Sequence, residues 1–135
     1  MTIASFDDLL RAATEQSEPQ RLLFVFATAG VDADATAAQK ARFESGQGGT
    51  LTPLMCVDKL PSELASFEAL KQESRALDQQ AWDMVFVAAL AGSGGISPSS
   101  QQAEAPLQRM VDSIKSGRID GFIPFDAQGR PVQFS

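Results

Sequence analysis

The sequence contains no histidine and no tyrosine. Without histidine a chain cannot build a Ser-His-Asp or Cys-His catalytic centre, and almost every type of zinc or non-haem iron site is excluded. Any acid–base chemistry would therefore depend on Asp, Glu, Lys or the Cys56 thiol. These absences favour a protein that is not an enzyme and that holds no cofactor and no metal ion.

Cysteine and long apolar runs are also scarce. Cys56 is the single cysteine, so the chain forms no internal disulfide, as is typical of a reducing compartment. Its position in an apolar predicted strand indicates a small buried side chain. No apolar run approaches the roughly 20 residues that span a bilayer, and Met1–Ala13 lacks the pattern of a secretory signal. We therefore expect a cytoplasmic protein without a membrane-spanning segment.

Basic clusters are absent as well, and the formal net charge is -6. This acidic balance argues against binding to nucleic acid or to an anionic membrane, both of which need clustered Lys and Arg. The chain has 135 residues, of which 44% are hydrophobic. These values predict a single globular domain over residues 1–135 that buries its own core.

Apolar periodicity alternates between helical and strand-like segments along the chain. Helices are predicted at Ser5–Gln16, Ala35–Glu44, from Pro61 to Leu77 and from about Ala105 to Lys115. Strands are predicted at Leu22–Ala27, Thr50–Val57 and Met84–Leu90, and a C-terminal β-hairpin at Phe122–Phe125 and Pro131–Phe134. This alternation predicts an α/β fold, a single layered domain whose mixed sheet of about four to five strands is flanked by helices.

Several finer features follow from the same patterns. The two all-apolar strands are expected at the centre of the sheet, whereas Pro53 and Pro124 are expected at edges or bulges. Gly129 suits the positive φ of the hairpin turn. Trp82 is expected to pack against the core, and the isomer of the Ile123–Pro124 bond stays open.

A glycine-rich loop follows the predicted strand Met84–Leu90. Gly92, Ser93, Gly94 and Gly95 form the sequence GSGG, whose backbone N–H groups could cradle a phosphate or a carboxylate. The loop lacks both the Gly-Lys-Ser/Thr ending of a Walker motif and the GxGxxG dinucleotide pattern. The alternative is that it is only a connection between elements.

Three aspartates, Asp32, Asp34 and Asp58, also follow predicted strands. If those strands are parallel, the carboxylates gather near the glycine loop, where they could bind Mg²⁺ or act as acid and base. The alternative is that they form local hydrogen bonds in loops and helix caps. The candidate ligand-binding residues are Asp32, Asp58, Gly92, Ser93, Gly94 and Gly95, and no residue is assigned as catalytic or as a metal ligand.

Four segments together resemble a family of small bacterial proteins that are often labelled ribonucleotide reductase subunit alpha. They are LLFVFA, FESGQGGTLTPLMCVDKLPSELASF, DMVFVAAL and APLQRMVDSIKSGRIDGFIPFDAQGRPVQF, and they cover nearly the whole chain. A catalytic reductase subunit is several times longer and uses several cysteines, whereas this chain has only Cys56. The resemblance therefore implies at most a link to nucleotide metabolism, such as an accessory factor of the reductase.

Two principal functions remain open on these observations. The first is a non-catalytic binding or protein-interaction module, which would expose an apolar patch or a surface for self-association. The second is a small nucleotide- or metabolite-binding enzyme with Asp32, Asp58, Ser93 and Gly94 around one cleft. The sequence does not decide whether the partner is a protein or a small molecule, nor whether the chain forms homo-oligomers.

Overall fold

A computed structural model describes residues 5–30, 36–38, 50–77 and 82–132. The predicted helix Ala35–Glu44 lies outside the described residues apart from 36–38. The described helices are α1 (Phe6–Thr14), α2 (Phe67–Leu77) and α3 (Ser100–Lys115), with a short 3₁₀ turn at Pro61–Glu63. The strands are β1 (Gln20–Gly30), β2 (Thr50–Lys59), β3 (Met84–Ala91) and β4 (Ile123–Asp126).

The four strands form one sheet in the order β2-β1-β3-β4. The predicted single α/β domain is therefore confirmed, and the described sheet of four strands agrees with the predicted four to five. All three described pairings are antiparallel, whereas a mixed sheet was expected. The two neighbours of β1 run parallel to each other but do not pair, because β1 lies between them. An all-apolar strand is typical of a strand buried on both faces, and burial does not determine its direction.

Helices cover both faces of this sheet. Alternate β1 side chains at Leu22, Phe24 and Phe26 pack in the cluster that includes α1 and α2. The intervening Leu23, Val25 and Ala27 pack against α3. Residues Leu22–Ala27 of β1 and Val85–Val87 of β3 are at most 3% exposed. The predicted central position of these two strands is therefore confirmed.

The helix starts follow capping signals. Ser5 Oγ accepts a hydrogen bond from the Asp8 N–H at 3.2 Å and so caps the start of α1. Helix α3 begins at Ser100, five residues before the predicted start, because Ser99 and Gln102 form a capping box. Pro106 consequently lies inside the helix rather than at its first turn.

Both strand prolines occupy edges, as predicted. Pro53 lies in β2 at the register shift opposite Phe26 and Ala27, and Pro124 lies in β4. No cis peptide bond occurs in the part of the chain that the structure describes. After β4 the chain turns back with Gly129 at φ 80°, and the Val132 N–H donates to the Pro124 carbonyl at 3.0 Å. The hairpin is confirmed as far as residue 132.

Candidate functional site

The ends of β2 and β3 lie beside the start of β1, at one end of the sheet. Asp58 pairs with Leu23, and Ala91 pairs with Gln20, so Asp58 and the glycine loop lie at this same end. Asp32 and Asp34 lie outside the described residues. The strand that precedes them ends at Gly30, seven residues from Leu23 and therefore about 23 Å along β1. The parallel arrangement that would gather all three carboxylates is not the one observed.

Asp58 is held in a compact polar cluster with Arg21 and Ser100. Its Oδ2 accepts hydrogen bonds from Arg21 Nη1 and from Ser100 Oγ, both at 2.7 Å. Arg21 Nε also donates to the Pro98 carbonyl at 2.6 Å. The side chains of Arg21 and Asp58 are only 11% and 18% exposed. This carboxylate therefore fastens the start of α3 to the ends of β1 and β2.

The glycine loop forms a tight reverse turn. Gly94 and Gly95 have φ of 60° and 79°, which are the positive values that a type I′ turn requires. The Ser93 N–H donates to the Ile96 carbonyl at 3.1 Å, and the Ile96 N–H donates back at 3.0 Å. At Gly92 a Cβ would lie 2.1 Å from the Ile96 carbonyl oxygen, which explains the absence of a side chain there.

The hydrogen-bond donors of this loop are largely used within the protein. The Gly92 N–H donates to the Pro19 carbonyl at 2.8 Å, and the Gly95 N–H donates to Glu18 Oε2 at 2.9 Å. The protein's own carboxylate thus occupies an amide that could otherwise bind an anion. A hollow of about 260 Å³ adjoins the loop, and its polar side chains are the uncharged Ser93, Ser97 and Gln102.

Cys56 is exposed, and the prediction that it is buried is wrong. It lies on β2, which is an edge strand, so burial by neighbouring strands comes from one side only. Partial burial, and secondly the negative charge of Asp58, raise the pKa of the Cys56 thiol above its ordinary value. A thiol with a raised pKa forms less thiolate at neutral pH and is a poor nucleophile.

The second half of β3 has an open side. Strand β4 pairs with β3 only from Met84 to Val87, so Ala88–Ala91 has β1 on one side and no described strand on the other. The Gly92 N–H donates to the carbonyl of Pro19 and therefore points toward the chain of β1. Successive residues of a strand point their N–H and C=O groups to opposite sides. Ala88 and Leu90, which are an even number of residues from Gly92, therefore bond to β1, whereas the N–H and C=O groups of Ala89 and Ala91 face outward.

The other sheet edges carry features that block further pairing. The outer strand β2 contains the Pro53 irregularity and the charged Asp58 and Lys59. The returning C-terminal chain covers β4, since Phe125 bridges Pro131. The open half of β3 reads Ala-Ala-Leu-Ala and has neither proline nor charge. The sequence did give a signal, the change from bulky residues to alanines along this strand, but sequence reasoning missed it.

Two hollows meet at Ala89, one on each face of the sheet. The α1-side hollow is a shallow depression of about 200 Å³, lined by Leu9, Ala12, Ala13, Gln16, Leu22 and Ala89, among others. The α3-side hollow is a shallow depression of about 220 Å³, and its lining includes Ala88, Ala89, Pro106, Arg109, Met110 and Phe122. Ala89 and Ala91 are exposed. At Ala89, the open edge therefore has a shallow hollow on each face of the sheet, lined on one face by α1 and on the other by α3.

Among the described residues, no group of three or more Cys, Asp or Glu side chains is placed to hold a metal ion. No described helix is long and apolar enough to cross a membrane. Comparison with known proteins adds no relative: no family model, no curated protein and no solved structure matches this chain.

Proposed function

We propose that this protein is a non-catalytic interaction module that binds an extended segment of a partner protein at the open edge of β3. The observation that carries the proposal is the outward-facing backbone of Ala89 and Ala91, with a hollow on each face of the sheet at Ala89. An extended chain laid beside β3 would satisfy these groups and continue the sheet. Its alternate side chains would enter the hollow on each face.

The helices on either side of Ala89 favour a single extended chain as the occupant. Side chains of α1 at Ala12 and Gln16 line one flank, and those of α3 at Pro106 and Arg109 line the other. The sheet edge of a second folded copy carries helices of its own and would have to enter between these flanks. A short peptide strand meets no such obstacle.

The expected complex is weak. The open stretch spans Ala88–Ala91, so strand addition adds few main-chain hydrogen bonds, each with a net value of about 0.5–1.5 kcal/mol. Burial of one or two apolar side chains in the hollows contributes a further 1.5–3 kcal/mol or so for each. The cost of association offsets part of this gain, so a dissociation constant on the order of micromolar or weaker is expected.

The proposal is tested by removing one outward-facing donor. Ala89→Pro deletes the N–H, and proline is tolerated on an edge strand where that N–H points away from the sheet. Ala89→Ser is the matched control, because it keeps the N–H at nearly the same size. Peptides selected from a random display library on the wild-type protein should bind Ala89→Ser equally well and Ala89→Pro about two- to tenfold more weakly.

Fluorescence of Trp82, the single tryptophan, reports whether each variant is folded. The proposal fails if the library yields no binding peptide, or if the selected peptides bind folded Ala89→Pro as tightly as the wild type.

A second candidate function is binding of a nucleotide or another metabolite in the hollow beside the glycine loop. It is favoured by the position of that hollow at the strand ends, next to Ser93. A thermal-shift screen with nucleotides, Mg²⁺ and common metabolites tests it, because a ligand of the native state raises the unfolding temperature. The link to nucleotide metabolism and the cytoplasmic location stay predictions.

A further inference from the structure

We infer that the open edge of β3 selects a segment with an apolar residue opposite Ala89 and a carboxylate on an adjacent residue. This inference rests on the proposed strand addition. It assigns the ligand class from the register of the sheet and from the different linings of the two hollows.

The register fixes which side chain of the added strand faces which helix. In an antiparallel pair, residues directly opposite each other project their side chains to the same face. Ala89 pairs with Leu22, which belongs to the cluster on the α1 side. The partner residue opposite Ala89 therefore projects over the α1-side hollow, and its two neighbours project over the α3-side hollow.

The α1-side hollow suits an apolar side chain. Leu9, Ala12, Ala13 and Leu22 form most of its wall. Its polar side chains are those of Gln16 and Gln20, and no charged residue lines it. A charged residue of the partner would lose hydration here without gaining a counter-ion.

The α3-side hollow suits a carboxylate at its rim. Pro106, Met110 and Phe122 supply an apolar floor, and the exposed Arg109 stands beside them. Arg109 forms no ion pair with another residue in the described ranges. A partner carboxylate can pair with its guanidinium through two parallel hydrogen bonds. The net charge of -6 disfavours a run of acidic residues, so we expect one carboxylate rather than several.

The test compares synthetic peptides derived from one selected binder. The starting binder carries a Glu beside the residue opposite Ala89. One peptide changes the residue opposite Ala89 to Asp, and another changes that Glu to Lys. Each peptide is titrated against the wild type, against Arg109→Glu and against Arg75→Glu. The last variant makes the same charge reversal on α2, at an exposed position that lines neither hollow.

Asp opposite Ala89 should weaken binding by about tenfold or more. Glu→Lys should weaken binding to the wild type and restore it in Arg109→Glu, whereas Arg75→Glu should behave as the wild type. If peptides protect the amides of Ala89 and Ala91 without either preference, the inference is wrong and strand addition stands. If no peptide binds, both fail. Light scattering that shows a dimer with these amides already protected would identify a second copy as the occupant and overturn the proposal.

Discussion

At the scale of single residues, Ser74 is a buried serine whose hydroxyl has two partners. Its Oγ accepts a hydrogen bond from Trp82 Nε1 at 2.8 Å and donates to the Lys71 carbonyl at 2.7 Å. Ser74 and Trp82 are at most 5% exposed, so the predicted packing of Trp82 against the core is confirmed. The indole N–H thus has a partner where water does not reach it.

Ser74→Ala should destabilise the protein by about 1–3 kcal/mol, because the buried indole N–H loses its acceptor. Urea unfolding followed by Trp82 fluorescence measures this change. Ser62→Ala, at an exposed position, is the control and should lie within about 0.5 kcal/mol of the wild type. Equal stability of the two variants would show that Ser74 does not contribute in this way.

The raised pKa of Cys56 makes a second prediction at this scale. Alkylation by iodoacetamide at neutral pH should be slower than that of glutathione, because a smaller fraction of the thiol is ionised. Asp58→Asn should accelerate alkylation, since it removes the negative charge that opposes thiolate formation. A rate equal to that of glutathione, or one unchanged in Asp58→Asn, would contradict this electrostatic explanation.

At the scale of secondary-structure elements, Arg21 connects three parts of the fold. Its ion pair with Asp58 and its bond to Pro98 join β1, the end of β2 and the segment before α3. Arg21→Met should cost about 2–4 kcal/mol, because it leaves Asp58 largely buried without its counter-ion. Arg130→Met is the matched control, because it removes an arginine from an ion pair with Asp126 in which the arginine side chain is 74% exposed.

That exposed pair should contribute about 1 kcal/mol or less. Denaturant unfolding of both variants measures the difference, and equal losses would mean that the Arg21 cluster does not anchor α3.

Asp126 stabilises the C-terminal turn through its ionised carboxylate. Partial burial acts to raise its pKa, but hydrogen bonds from the Arg130 and Gln128 backbone N–H groups and the charge of Arg130 outweigh burial and lower the pKa. The folded pKa therefore lies below the unfolded value of about 3.9. The resulting stability is present above about pH 4 and is lost as the pH falls through the folded pKa.

Asp126→Asn should consequently be less stable than the wild type at neutral pH, and the difference should shrink as the pH is lowered below about 4. Thermal unfolding over a pH series tests this. A difference that stays constant across the series would assign the effect to packing instead.

The helices and central strands could be predicted because their signals are local. The apolar spacing from Phe6 to Ala13 and the apolar run Leu22–Ala27 each lie within one element. The direction of pairing could not be predicted, because it depends on how the whole chain turns between strands. For the same reason the exposure of Cys56, which follows from the edge position of β2, was missed.

At the scale of the whole molecule, helices cover both faces of a sheet in which β3 is longer than its neighbour β4. Strand β3 spans Met84–Ala91, whereas β4 has only four residues, so the sheet ends in a step. The flanking helices extend past this step and form the two hollows. The sequence patterns placed Asp58 and the glycine loop after predicted strands, but the step depends on the relative length of two strands far apart in sequence.

The N–H groups of Ala89 and Ala91 point outward, where they can pair with a partner strand. Amide hydrogen exchange followed by NMR tests this orientation. In the free protein, we expect rapid exchange at Ala89 and Ala91 and slow exchange at Ala88 and Leu90, which bond to β1. Addition of a selected peptide should slow exchange at Ala89 and Ala91. Slow exchange at all four amides in the free monomer would show that the Ala89 and Ala91 N–H groups already have partners, which contradicts the proposed open edge.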